Sequence, residues 1–236
     1  MNVDTKAIGK LAGSDKENTK SESLTESLVE AIVNGQIAPG SKISEPELAK
    51  HYHVSRGPLR EAMMRLEGLG LIERVPHVGA RVITLSPEKL VELYAVREAL
   101  EGMAARLAAR YISQEELLSL ELLLSTHSKH IDEVEGSSYF HQHGDFDFHY
   151  RIIKASRNRE LIALLCDELY HLLRMYRYQS PRAQSPRAQS RPKEALEEHK
   201  FILQAIRNRD EELSEMLMRR HISGSRKLIE QQILKD

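Results

Sequence analysis

The sequence predicts a mainly α protein in two parts: a small N-terminal unit of three helices closed by a β-hairpin, then an antiparallel bundle of six helices. Three observations carry this prediction. Apolar residues recur at i, i+3, i+4 and i+7 through most of the chain. Two short β-prone runs flank a turn containing proline and glycine near residue 78. From Ser86 onward the chain has helix starts and stops but no convincing strand. Its 236 residues are enough for two domains that each bury a core. The expected boundaries are a polar flexible tail over 1–20, a first domain over 21–85 and a helical domain over 86–236.

In the first domain, Leu24, Leu28, Ala31 and Ile32 form the apolar stripe of a helix over 23–34, and Gly35 suits the left-handed residue that ends it. Pro39-Gly40 makes a turn. Ser44-Glu45-Pro46-Glu47 has the spacing of a capping box with proline in the first turn, opening a short second helix that ends near His51. Ser55 is placed to cap a third helix, whose Leu59, Ala62, Met63, Leu66 and Leu69 share one face before Gly70 stops it. Residues 71–75 and 80–84 then read as two strands around Pro76-His77-Val78-Gly79, forming a wing.

Arg56 and Arg60 stand four apart on the third helix and project together, opposite its apolar stripe. Arginine's forked donors match the O6 and N7 acceptors of guanine and also pair with phosphates. Ser55 and the free N–H groups of the first turn can hold a phosphate, and Gly57 lets the backbone come close. A short helix, a tight turn and an outward-basic helix make a helix-turn-helix, whose second helix reads the major groove. The wing tip can place His77 and the backbone at Gly79 in a minor groove or against a phosphate. The formal net charge is −1, so nucleic-acid binding must come from a local patch; between Lys50 and Arg81, six basic residues face three glutamates.

The second domain reads as helices over 87–109, 114–132, 138–155, 159–178, 192–208 and 211–234, with Ser113 and Glu116 as a second capping box. The tandem SPRAQSPRAQS, repeating PRAQS from Pro181 and Pro186, reads as an exposed, basic, flexible loop. The single cysteine, Cys166, lies in the apolar run LIALLCDELYHLL and reads as a buried thiol. No run approaches the roughly 18 apolar residues of a membrane span. The polar start has no signal-peptide core, so the expectation is a cytoplasmic protein without a membrane partner.

Polar residues on stripes that ought to be apolar carry the chemistry of this domain. Asp145 and His149 stand four apart beside Phe148 and Ile152, His199 lies between Leu196 and Leu203, and His221 between Leu217 and Leu228. Buried, these groups are costly unless paired. A carboxylate and three imidazoles from three helices suit a divalent transition metal, zinc first, with nickel or manganese as alternatives. His141 is also four from Asp145, and His127, His130 and His143 lie nearby; His149 is preferred because it shares the apolar stripe. Three other readings stay open: core histidines satisfied by hydrogen bonds, a metal that only staples the bundle, and a metal-dependent enzyme acting on a small acid.

The string IVNGQIAPGSKISEPELAKHYHVSRGPLREAMMRLEGLGLIERVPHVGARV resembles the DNA-binding domain of the GntR regulator family, with its PG turn, ELA helix, VSRGPLREA and glycine wing. The resemblance implies a winged helix-turn-helix in which Ser55, Arg56, Gly57 and Arg60 contact operator DNA, with His77 and Gly79 in the wing. Pro46 lies where some members use an arginine for the DNA backbone. DFDFHYRIIKAS, EEHKFILQAI and MRRHISGSRKLI resemble the three ligand-bearing segments of the FCD effector domain, found in the FadR-like branch of that family. This implies Asp145, His149, His199 and His221 as metal ligands. It also implies Arg97, in YAVREALEGMAARLAA, as a clamp for an effector carboxylate; Arg97 shares the stripe of Leu93, Leu100 and Ala104, which points it inward. The expected protein is a regulator rather than an enzyme: a homodimeric repressor on a pseudo-palindromic operator, modulated by a small carboxylic acid.

Overall fold

Helix α1, residues 21–33, buries Leu24, Leu28 and Ile32, α3 (Arg56–Gly68) buries Leu59, Met63 and Leu66, and Ser21 Oγ of α1 donates to the Pro58 carbonyl of α3 at 3.5 Å. The short α2 (Glu45–His51) precedes α3, and the chain leaves α3 through Gly70, whose φ of 66° is the left-handed value that ends the helix. Strands β1 (Ile72–Val75) and β2 (Gly79–Val82) pair antiparallel with Ile72 opposite Val82 and Val75 opposite Gly79. Residues 41–43 add to the free edge of β2 through a bridge from Lys42 to Arg81, with the Ile43 N–H donating to the Ala80 carbonyl at 2.9 Å. The computed structural model describes residues 21–133, 148–179 and 186–233. It separates into two units between Thr84 and Leu85.

The two serines expected to cap α2 and α3 do occupy the N-cap positions, but neither side chain makes a capping bond. Proline accounts for the departure in α3 and narrows the choice of donors in α2. Pro46 is the second residue of α2 and Pro58 the third of α3, so in each helix one of the two N–H groups an N-cap oxygen normally takes is missing. The second unit keeps its box: the Ser113 N–H donates to Glu116 Oε2 at 2.9 Å, and the Glu116 N–H donates to Ser113 Oγ at 3.2 Å.

That second unit is built on α4 (Pro87–Tyr111), which packs along α10 (Glu211–Ile233) and also meets α6 (Phe148–Ala155) and α9 (Pro186–Arg207). The α4–α10 approach is close because Gly102 has no side chain; a Cβ there would lie 2.5 Å from Arg219 Cγ. Helix α5 (Gln114–Glu133) closes the other side against α9. Phe148, Leu90, Ile112, Leu117, Leu120 and Ile152 form the dry centre. Among the described residues, no helix is long and apolar enough to cross a membrane.

Two sequence expectations need correction. The single helix over 159–178 is instead α7 (Arg159–Ile162), a π-helical stretch (Ala163–Leu169) holding the buried Cys166, and α8 (Tyr170–Gln179). In LIALLC every residue is apolar, so periodicity gives no phase from which to see the widened turn. The PRAQS tandem is not wholly a loop. Its second copy opens α9, because Pro186 sits at the first helical position, where its missing N–H costs no bond. The first copy, and the part of the expected 138–155 helix before Phe148, lie outside the described residues.

The turn joining α9 to α10 is tied to the end of α4. Arg209, at φ 58°, donates from Nη1 to the Ala109 carbonyl (3.0 Å) and from Nη2 to the Ile112 carbonyl (2.8 Å). These are acceptors that a helix C-terminus leaves unsatisfied. Arg110 adds a bidentate pair with Glu211 at 2.9 and 2.7 Å. Arg209→Ala is expected to lower the stability of the helical unit by about 1–3 kcal/mol, read as a fall in melting temperature. An unshifted melting curve would contradict this account of the turn.

Candidate functional site

Each unit presents one candidate site. In the first, α3 buries Leu59, Ala62, Met63 and Leu66 and leaves Ser55, Arg56, Gly57 and Arg60 exposed on the other side. Arg65 and Arg74 pair with Glu22 and Glu67, whereas among the described residues Arg56 and Arg60 have no acidic partner. Their charge is therefore available to an external anion. A Cβ added at Gly57 would meet nothing within 4 Å, so its absence leaves room for something outside the chain. Met64, 52% exposed, continues the stripe of Arg56 and Arg60 at the same four-residue spacing. The sequence reading passed over Met64, and an apolar side chain there suits contact with a thymine methyl group.

The wing turn is closed by the Val78 N–H donating to the Val75 carbonyl at 3.1 Å, with Pro76 and His77 at its corners. His77 has φ 63°, the left-handed value that this proline-led turn requires at its second corner and that glycine or asparagine usually fills. The turn thus holds a bulky, titratable side chain at an exposed tip, and Gly79 follows at φ 100°.

In the second unit, His149 of α6, His199 of α9 and His221 of α10 converge with their Nε2 atoms in a small triangle. The separations are 3.1 Å from His199 to each of the others and 3.2 Å between His149 and His221. All three rings are buried. Phe148 stacks on His199 with centroids 4.2 Å apart and fixes that ring. Asp145, the fourth expected ligand, lies outside the described residues, as do His141 and His143.

Two carboxylates that sequence reasoning missed decide what the triangle can do. Glu101 Oε2 lies 2.6 Å from His149 Nδ1, and Glu198 Oε2 lies 2.6 Å from His221 Nδ1. Burial opposes ionisation of Glu101, but the Arg97 guanidinium and the His149 ring hold its carboxyl well below the usual carboxylate range. Burial drives the His221 imidazole down to about 4, against the pull of Glu198 beside it. A proton on Nδ1 of each of these two rings, donated to the carboxylate behind it, leaves a bare Nε2 lone pair turned toward the centre. Lone pairs facing one another at this distance repel unless a cation lies among them.

The donor set fits such a cation. An ion about 2.0–2.1 Å from three nitrogens needs them roughly 3–3.4 Å apart, and the spacing in the triangle falls in that range. Outer-shell carboxylates on the far ring nitrogens are the usual partners of metal-bound imidazoles.

Arg97 lies beside this centre and is 3% exposed. Its Nε donates to Glu101 Oε1, and its guanidinium carbon sits 5.3 Å from the Tyr94 ring centroid. The inward direction expected from its stripe is what the structure has. The signal for Glu101 was present in the same stripe, one turn after Arg97, as a second charged residue where an apolar one is the rule.

Comparison with known proteins finds two family profiles on the chain. "Bacterial regulatory proteins, gntR family" matches residues 20–82, and "FCD domain" matches residues 92–224. The "Uncharacterized HTH-type transcriptional regulator YdhC" of Bacillus subtilis (strain 168) is 30% identical over 199 residues, covering 83% of this chain and 84% of its own. The "HTH-type transcriptional repressor RspR" of Escherichia coli (strain K12) is 29% identical over 191 residues, covering 81% of this chain and 80% of its own. Among solved structures, E. coli McbR/YncC superposes with a TM-score of 0.67 at 20% identity, covering 91% of this chain and 98% of that one, which is a likeness of fold.

Proposed function

The chain belongs to the GntR family of bacterial regulatory proteins and carries an FCD domain, and on that premise we propose that it is a homodimeric repressor whose operator affinity is set by a small carboxylate at a metal centre in the helical domain. The coarse activity follows from the family: it is a DNA-binding transcriptional regulator, and its relatives are named as regulators rather than enzymes. The repressor reading draws on the name of the RspR relative. The metal reading is carried by one observation, the convergence of three buried Nε2 atoms, with the His149 and His221 rings held from behind by Glu101 and Glu198.

His149, His199 and His221 would hold the ion, with Asp145 as a fourth ligand from the segment before α6. Zinc is proposed first, and nickel or manganese accept the same donors. A bound divalent ion supplies a Lewis-acid position for a carboxylate oxygen. Arg97 would orient the effector's carboxylate through the two terminal nitrogens of its fork, since its Nε is already committed to Glu101. At the other end of the chain, Ser55, Arg56 and Gly57 would seat phosphates, Arg60 would read a base edge, and His77 and Gly79 would enter the minor groove or meet a phosphate. A dimer would bring two such faces to a pseudo-palindromic operator in the cytoplasm, and the effector would act by favouring one spacing of the two.

Elemental analysis of the purified chain without a histidine tag tests the metal centre. Near-stoichiometric transition metal is the expected result. A chain that stays metal-free after reconstitution with zinc, nickel and manganese in turn would falsify this part of the reading.

A further inference from the structure

We infer that Glu101 is a positioning residue that ties the metal ligand His149 to the fork of Arg97, so that one buried carboxylate sets both halves of the proposed effector site. The inference rests on the metal reading above and adds a dependence between its two parts. Glu101 is 2% exposed and has both oxygens committed: Oε1 to Arg97 Nε within α4, and Oε2 to His149 Nδ1 across to α6. Glu198, the carboxylate behind His221, differs in two respects. It is about two-fifths exposed, and its Oε2 meets His221 from α9 rather than from the helix that carries Arg97.

A carboxylate held at both oxygens in a dry site cannot turn to suit one partner without weakening its bond to the other. Glu101 therefore fixes the tautomer and ring direction of His149, and Arg97 fixes the plane of Glu101. Glutamine is the informative replacement. It keeps the shape but has one acceptor and one donor, so it can serve Arg97 or His149 and not both.

The experiment is zinc competition against a chromophoric chelator, with zinc alone as the probe, on the full chain. Five proteins are compared: wild type, Glu101→Gln, Glu198→Gln, Arg97→Lys and the Glu101→Gln/Arg97→Lys double variant, each checked for native helicity. Glu101→Gln is expected to weaken zinc about 10- to 100-fold, the range for loss of an outer-shell partner. Glu198→Gln is expected to cost less, because solvent replaces much of what its exposed carboxylate provides. Arg97→Lys keeps the charge but loses the Nε bond, and is expected to weaken zinc several-fold in the wild-type background and by less than twofold in Glu101→Gln.

If Glu101→Gln does not fold, Glu101→Asp takes its place. It retains the charge but is one methylene too short to span both partners, and it should again lower affinity and abolish the effect of Arg97→Lys. Zinc bound by the wild type with equal affinity in the Glu101 variant, or an Arg97 effect of the same size in both backgrounds, overturns the coupling alone. No zinc in the wild type overturns the metal reading and the coupling with it.

Discussion

Arg60→Ala is expected to weaken binding to a duplex selected by the protein from a random library by roughly 5- to 150-fold, the 1–3 kcal/mol of one forked base contact. Adding Arg56→Ala should deepen the loss and flatten the salt dependence, because each phosphate neutralised contributes a slope of about 0.9 in a plot of log affinity against log salt. The physical ground is that both side chains are exposed and lack an acidic partner among the described residues, so neither is needed by the fold. The substitutions should leave the melting temperature in place. Fluorescence anisotropy on the labelled duplex at two or more salt concentrations measures both quantities. Unaltered affinity in Arg60→Ala, with the protein folded, removes that residue from the operator face.

His199→Ala is expected to empty the metal centre and to abolish the sensitivity of the melting temperature to chelator. His199 is the proposed ligand whose Nε2 lies 3.1 Å from both of the others, with its ring stacked on Phe148. An ion present at 100 times its dissociation constant stabilises the folded chain by about 2.7 kcal/mol. The wild type should therefore melt several degrees lower after chelation, while His199→Ala should melt at the same temperature with or without chelator. The variant will also lose packing against Phe148, which lowers its melting temperature in either condition. The diagnostic quantity is the difference made by chelator. A His199→Ala chain that retains wild-type metal content contradicts the ligand assignment.

Much of this architecture was legible in the residues, and the exceptions have identifiable causes. Gly70, the Leu59–Leu66 stripe and the Val75–Gly79 hairpin are local patterns, and they formed where the spacing placed them. The inward direction of His149, His199 and His221 was readable because each stands among apolar neighbours at helical spacing. The carboxylates behind them were not, since Glu101 meets His149 across 48 positions of sequence and Glu198 meets His221 across 23. A one-dimensional pattern says which face a side chain takes, not which partner from another helix will face it. The unmade caps at Ser44 and Ser55 show the reverse case. The motif was present, but in α3 proline at the third helical position removed the donor, and in α2 the Ser44 side chain leaves the Glu47 N–H untaken. In α9, proline that read as a helix breaker stands at the helix start instead.

The central claim is that the centre in the helical domain governs the affinity of the winged helix for DNA. The measurement that tests it most directly is duplex affinity of the wild type and of His199→Ala, each titrated in the metal-free form, with zinc, and with zinc plus a panel of small mono- and dicarboxylates. Linkage between two sites of one protein commonly amounts to 5- to 150-fold. The wild type is expected to change its duplex affinity by at least about fivefold between two of these conditions, and His199→Ala to hold one affinity throughout. Wild-type affinity that stays constant while zinc demonstrably binds would contradict the claim and leave the metal as a staple of the bundle.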